Sequence, residues 1–319
     1  MGEAGAKLER TADEGVPPWI DPIALPLGDH LLDRNGLDAV IGEGATSRVY
    51  EALDEKPGGV VAIKVLDLSR AHAELLEQRF LREARIGVSL EHPNIARVYE
   101  LGRVPDTGVP YLVMERLEGR TLLEEMKARP QRSFAEALEI LGPVAEAVSA
   151  AHAAGVVHRD IKPANVFLTP DGPKLLDFGI SIRTGDVRLT DPSAVVGTPS
   201  NLAPEQIQLV ESDHRVDVYA LGVLLYRLVC GRAPFHGRDP LSLMTRIVTE
   251  EPTPPSELVE GISSMMDAVV MRALAKRPEQ RFASVDALMT AARVALRMPV
   301  VPKAPSRGDE TTRRERGQK

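Results

Sequence analysis

The sequence predicts an α+β fold in two unequal parts, a small β-rich part followed by a larger, mainly α-helical one. Three observations predict it. Strand-like apolar runs (Leu37 to Ile41, Arg48 to Leu53, Val61 to Val65) crowd the first third of the chain, with one helix-periodic stretch behind them. From Ser133 onward the signals are helical. A chain of 319 residues is long enough to bury two modest cores.

The first element of interest is the turn between the first two runs, Ile41-Gly42-Glu43-Gly44-Ala45-Thr46-Ser47-Arg48-Val49. Its glycines let backbone amides approach phosphate oxygens closely. No Gly-Lys-Ser/Thr follows, so it is not a Walker A loop. The next run, Val61-Ala62-Ile63-Lys64-Val65, is an apolar strand carrying one lysine. Behind it Leu76, Phe80, Glu83, Gly87 and Leu90 recur at helical spacing, which puts Glu83 in the middle of a buried stripe. A carboxylate buried there without a partner costs several kcal/mol. Lys64 on the neighbouring strand is the partner the sequence offers.

The helical part opens with Ser133-Phe134-Ala135-Glu136, a capping box starting a long helix toward His152. Between that helix and the next lies the segment richest in chemistry: His158-Arg159-Asp160-Ile161-Lys162-Pro163-Ala164-Asn165, followed by Asp177-Phe178-Gly179. Asp160 can accept the proton of an attacking hydroxyl. Lys162 can reach a phosphate as a point charge. Asn165 and Asp177 offer the oxygen ligands that Mg²⁺ prefers. Gly179 permits a sharp turn, and Phe178 plugs it against the core. Either tripeptide alone reads as an ordinary loop or turn; both together, at these offsets, are the short part list of phosphoryl transfer. Arg215 to Cys230 reads as the central buried helix, too short and too interrupted by Arg227 to span a membrane. Pro252, Pro254 and Pro255 mark a loop between helices.

These motifs, in this order, resemble the protein kinase family, and their details resemble the bacterial eukaryotic-like Ser/Thr kinases. Asp217 to Gly222 and Ala273 to Arg281 match stretches common in such chains, as does Ser47 at the third glycine position. The resemblance covers residues 37 to 296. It implies the bilobal protein kinase fold: an N-lobe over residues 34–115, a hinge over 115–118 and a C-lobe over 119–296. Residues 1–33 are then an N-terminal extension, expected to be flexible, and residues 297–319 a basic, disordered tail.

The resemblance also implies roles. ATP is the nucleotide, with Mg²⁺ (or Mn²⁺ in its place) as the metal. Gly42 to Arg48 would cover the phosphates, and Lys64, held by Glu83, would meet the α- and β-phosphates. Ile41, Val49, Ala62 and Phe167 would sandwich adenine. Met114 would be the gatekeeper, with Glu115 and Leu117 presenting backbone groups to the base. Thr198, in Gly197-Thr198-Pro199, would bridge Asp160 and Lys162, a Ser/Thr-directed pattern. Ala203-Pro204-Glu205 would close the activation segment, Glu205 pairing with Arg281. Arg159 would capture a phosphorylated activation segment, Thr190 being the best acceptor there and Ser193 the second. Similar kinases dimerise, which makes a homodimer the expected route to trans-autophosphorylation. Protein substrates are the expected partners.

Some positions depart from the family pattern. Asn201 stands where a tyrosine is usual, which bears on substrate preference more than on catalysis. Ile182 replaces a supplementary basic residue, and Arg277 a common aspartate. Gly87 replaces a bulkier apolar residue at a helix-propensity cost of about 0.5–1 kcal/mol. Other readings are a nucleotide-binding pseudokinase or scaffold, and a small-molecule kinase on a related fold. The presence of Lys64, Glu83, Asp160, Asn165 and Asp177 weighs against the former, and the Ala-Pro-Glu segment with Thr198 against the latter.

A net charge of −7 argues against a main body that binds nucleic acid. The single cysteine, Cys230, cannot form an internal disulfide and fits a reducing cytoplasm. The first 33 residues lack a signal-peptide core, and Ala6 breaks a myristoylation pattern at Met1-Gly2. The expected location is therefore cytoplasmic.

Overall fold

Antiparallel strand pairing organises the first part of the chain. The structure, a computed structural model, describes residues 26–27, 30–32, 40–44, 46–54, 59–67, 73–104, 107–178 and 199–298. Its first strands are β1 (Pro26–Leu27), β2 (His30–Leu32), β3 (Val40–Glu43), β4 (Ser47–Asp54) and β5 (Gly59–Leu66). Helix α1 (Ala73–Ser89) follows, then β6 (Val98–Arg103) and β7 (Pro110–Glu115). The sheet runs β1-β2-β4-β5-β7-β6, and β3 also pairs with β4. β1 and β2 fall within residues 1–33, so the sheet begins upstream of the expected lobe boundary; Leu31 pairs with Leu53 of β4.

Alternation along β5 sorts the side chains onto two faces. Ile63 and Val65 join Tyr50, Tyr111 and Val113 in one apolar cluster. Leu66 packs on the other face with Leu112, Phe80 and Ala84, the last two from α1. Lys64, two residues before Leu66, lies on the α1 side, where its register partner is Leu112.

The larger part begins with β8 (Arg120–Thr121), α2 (Leu122–Ala128) and α3 (Phe134–Ala153). Ser133 caps α3 in a reciprocal box with Glu136, as its sequence predicts. β9 (Val166–Thr169) and β10 (Gly172–Leu175) form a hairpin, and β8 pairs with β9. The remaining helices are α4 (Pro204–Ile207), α5 (Arg215–Cys230), α6 (Pro240–Thr249), α7 (Ser264–Ala273) and α8 (Val285–Arg297).

Helix α5 is the axis of this part, buried along nearly its whole length and flanked by α3, α7 and α8. A Cβ on Gly222 would sit 2.7 Å from the Cβ of Ala273, so glycine is what lets α5 and α7 approach this closely. Among the described residues no helix is long and apolar enough to cross a membrane.

The two parts meet through the β9–β10 hairpin. Leu175 N donates to Asn94 O at 2.8 Å, and Ala96 N to Leu175 O at 3.0 Å. Lys174 of β10 donates to the Glu115 carboxylate, at the end of β7, at 2.9 Å.

Candidate catalytic and nucleotide site

Lys64 is the residue on which both parts converge. Its Nζ donates to Glu83 Oε1 at 2.8 Å and to Asp177 Oδ1 at 2.8 Å. Glu83 comes from α1 and Asp177 from just beyond β10, so one ammonium links three distant stretches of sequence. One cation between two carboxylates leaves an excess negative charge, and the environments decide where it is relieved. Glu83 is the more enclosed, its side chain 11% exposed against 37% for Asp177. Burial raises the Glu83 pKa to about 7, with Lys64 only partly offsetting it. Burial also opposes the charge on Asp177, but Lys64 outweighs it and holds that carboxyl below its ordinary value. Lys64 itself is pushed up, its burial outweighed by the two carboxylates.

The loop from His158 to Asn165 is held from below by α5. Asp217 accepts His158 N at 2.8 Å and Arg159 N at 2.7 Å, and its Oδ2 also lies 2.7 Å from His152 Nε2. His158 is fully buried; its ring is 4.9 Å from the Phe178 ring, and its Nε2 is 3.1 Å from Leu176 O. Arg159 has φ +65° and Asp177 φ +46°, backbone conformations that residues with side chains rarely adopt. Such strain persists only where the surroundings over-determine it.

On this loop Lys162 Nζ donates to Asp160 Oδ2 at 2.6 Å. Asn165 Nδ2 donates to Asp160 O at 2.9 Å and to its Oδ2 at 3.1 Å. Leu176 N donates to Asn165 O at 2.8 Å, which brings Asn165 alongside the residue preceding Asp177. Because Nδ2 is engaged, Asn165 has its amide oxygen to offer a cation. An amide oxygen and a part-exposed carboxylate are a donor set suited to a hard divalent ion that keeps some of its waters and takes further ligands from phosphates.

The glycine turn leads into β4, whose Val49 pairs with Lys64. Gly42 pairs with Val49 and Glu43 with Arg48, and Gly44 N donates to Ser47 O at 2.8 Å. Ile41 and Thr46 lie on this turn, Ile41 exposed and Ser47 buried. Ala62 is buried and pairs with Met114. Glu115 N is committed to Arg97 O at 2.8 Å, so its amide is not the group it can offer a base. Arg116 donates to Leu117 O. Phe167 pairs with Thr121 across β8 and β9. A Cβ on Gly119 would come within 2.0 Å of Leu168 O, and its φ is +133°, so this position beside Phe167 requires glycine.

Lys64, Glu83 and Asp177 are thus brought together, as are Asp160, Lys162 and Asn165. Glu205 and Arg281 form a buried two-pronged pair at 2.6 and 2.7 Å, as the family resemblance implies. Ala45, Gly179, Ile182, Thr190, Ser193 and Thr198 lie outside the described residues. Sequence reasoning missed the role of Asp217. The available signal was a carboxylate inside the apolar run from Val216 to Val229. It also missed Gln206, whose Nε2 donates to Arg159 O at 3.0 Å.

The protein kinase domain family matches residues 37–292 of the chain. A probable serine/threonine-protein kinase PknB of Corynebacterium glutamicum is 42% identical over 261 residues, 79% of this chain and 40% of that protein. The serine/threonine-protein kinase PknB of Mycobacterium leprae is 38% identical over 280 residues, 86% of this chain and 45% of that protein. The chain therefore spans less than half the length of these relatives. Among solved structures, the PknI kinase domain of Mycobacterium tuberculosis superposes with a TM-score of 0.67 at 29% identity, over 85% of this chain and 98% of that one.

Proposed function

Because this chain belongs to the protein kinase family, we propose that it is a serine/threonine protein kinase, passing the γ-phosphoryl group of Mg-ATP to hydroxyls of protein substrates. The observation that carries this reading is the position of Lys64, 2.8 Å from both Glu83 and Asp177. Held this way, its ammonium would meet the α- and β-phosphates of the nucleotide. Gly42 to Arg48 would cover those phosphates with main-chain amides. Ile41, Val49, Ala62 and Phe167 would enclose the base, Met114 would back it, and the Glu115 carbonyl and Leu117 amide would be its polar contacts.

Asn165 and Asp177 would hold Mg²⁺, or Mn²⁺ in its place, and the ion would supply neutralisation of charge on the transferred phosphoryl group. Asp160 would orient the attacking hydroxyl and accept its proton. Lys162, 2.6 Å from Asp160, would reach the phosphate as a point charge beside that carboxylate. Thr198 would complete this cluster as the bridge between Asp160 and Lys162. Autophosphorylation at Thr190, with Ser193 second, would bring a phosphate to Arg159, and a homodimer would let one copy act on the other.

Transfer of labelled γ-phosphate to a generic protein, compared between wild type and Asp160→Asn, tests the reading. Transfer by the wild type and its near-complete loss in the variant are expected. Nucleotide binding without transfer would make the protein a scaffold, and transfer only to a metabolite would make it a small-molecule kinase.

A further inference from the structure

The turn at Pro199–Asn201 carries Asn201 where the family pattern has a tyrosine, and the structure gives that exchange a partner. Asn201 is buried, and its Oδ1 accepts from Ser200 Oγ at 3.2 Å and from Arg227 Nη1 at 3.3 Å. Arg227 projects from the last turns of α5, half-buried in a helix whose neighbours are apolar. No acidic side chain meets it among the described residues. The contrast with other buried arginines is direct: Arg132 is paired with Glu125, and Arg281 with Glu205. Desolvation pulls the Arg227 pKa down. Beside it Asn201 Nδ2 is sealed from solvent and meets no acceptor among the described residues. Two groups of donors therefore face each other around a single shared oxygen. A half-buried cation left without an anion costs free energy that an arriving anion recovers.

The location connects this charge to the reaction. Asp217, at the start of α5, grips the loop that carries Asp160. Arg227 lies ten residues further along the same helix, about 15 Å by its rise. The segment from Asn201, in contact with Arg227, to Gln206, bonded to Arg159 O, runs between the two points. An extended peptide with its hydroxyl at Asp160 and lying along this segment reaches Arg227 after about four or five residues.

We propose that Arg227, positioned by Asn201, is a specificity-determining residue that selects protein substrates bearing a carboxylate or phosphate within about five residues of the acceptor hydroxyl. The chemistry that fits is an anion with several acceptor oxygens, because guanidinium presents a planar fork of donors and Asn201 occupies only one of them. This subsite rests on the protein kinase reading above.

The test is a peptide array with one fixed acceptor, in which each flanking position is in turn Asp, Glu, phosphoserine, Ala, Lys or Arg. It is assayed with wild type, Arg227→Gln and Arg227→Glu, whose thermal midpoints are measured alongside. The wild type is expected to favour acidic over basic residues at one flanking position by about tenfold in kcat/KM. Arg227→Gln should flatten that preference, and Arg227→Glu should invert it, with peptides carrying Ala there turned over at near wild-type rates by Arg227→Gln. Ranking phosphoserine above Asp at that position would identify a phosphate site, and the reverse a carboxylate site; both support the proposal. Should Arg227→Glu fail to fold, the wild-type ranking and Arg227→Gln still decide. Wild-type transfer with no acid preference, as when an acidic residue of this chain's own 179–198 segment already occupies Arg227, overturns the subsite alone. A preference unchanged by Arg227→Gln does the same. No transfer to any peptide overturns the kinase reading and the subsite with it.

Discussion

Asp217 Oδ1 accepts the amide of Arg159 at 2.7 Å, and Arg159 is one of three described non-glycine residues with positive φ. The contact fixes a strained backbone immediately before Asp160. The other carboxylate oxygen accepts His158 N, so one buried side chain of α5 satisfies two consecutive amides. Asp217→Ala leaves both without partners, at about 1–3 kcal/mol each. The expected outcome is a thermal midpoint several degrees lower and a kcat reduced at least tenfold, on the order of one misplaced catalytic group. KM for ATP should change little, because Asp217 touches neither Lys64 nor the glycine turn. Steady-state kinetics separates the two, and an equal rise in KM for ATP would show that the clamp is not local to the 158–165 loop.

Gly87 carries a second prediction. By helix propensity alone Gly87→Ala should stabilise α1 by about 1 kcal/mol. The structure reverses that sign: a Cβ at Gly87 would stand 2.7 Å from Val98 Cγ2 on β6. The new methyl must push α1 away from the sheet, and Glu83, one turn earlier on the same face, moves with it. Gly87→Ala is expected to raise KM for ATP several-fold without raising the thermal midpoint. Adding Val98→Ala makes room for the methyl and should restore KM. A single variant that is more stable and fully active would refute the steric account.

These two cases show what the sequence made legible and what it did not. Lys64 and Glu83 could be paired because a charge inside an apolar stripe demands an opposite charge nearby, and such a cost is readable in one dimension. The start of α3 was legible because a capping box is local. Arg215–Cys230 was legible because its apolar run is long, broken only by Asp217 and Arg227. Asp217 could be placed on that helix, but its grip on Arg159 joins residues far apart in the chain, which no periodicity encodes. Gly87 was misleading for the same reason: propensity concerns α1 alone, whereas Val98 arrives from a strand beyond it. The strands at 26–32 gave no signal because two- and three-residue strands have too little pattern to stand out from a loop.

Glu136 supplies a pH dependence. Its carboxylate accepts the backbone amide of Ser133 at 2.9 Å, the Ser133 hydroxyl at 2.8 Å and Arg129 at 2.6 Å. These bonds, the Ser133 amide first, lower its pKa from 4.5 to about 2. A carboxyl depressed in the folded state stabilises it fully above the unfolded value and progressively less as pH falls through the folded one. Wild type should therefore be more stable than Glu136→Gln at neutral pH, and the gap should narrow between 4.5 and about 2. Carboxyl NMR of Glu136 checks the titration directly. Ser133→Ala removes the hydroxyl but keeps the backbone amide, so the midpoint should rise only part of the way toward the ordinary value; an unchanged midpoint would mean that the hydroxyl adds nothing to the amide and Arg129.

The Glu205–Arg281 pair makes the sharpest stability prediction. Both carboxylate oxygens are bonded by the guanidinium, which also donates to the carbonyls of Ala275, Arg215 and Lys276 and lies 4.8 Å from the Tyr219 ring. Arg281→Met strands the Glu205 carboxylate in a site that is 4% exposed. Removing one partner of a buried pair costs about 3–5 kcal/mol. Glu205→Gln is expected to cost less, since a neutral amide can still accept from Arg281. Glu205 opens α4 beside Gln206, which is bonded to the Arg159 carbonyl, so the loss should also reach activity. Urea unfolding of Arg281→Met, Glu205→Leu and the double variant Glu205→Leu/Arg281→Met yields the coupling between them. A double variant about as stable as Arg281→Met alone would mean that the unpaired charge is not what the single change costs. A double variant more stable than Arg281→Met, yet still slow in phosphoryl transfer, would mark the pair as a device for placing the 199–207 segment rather than for holding the fold.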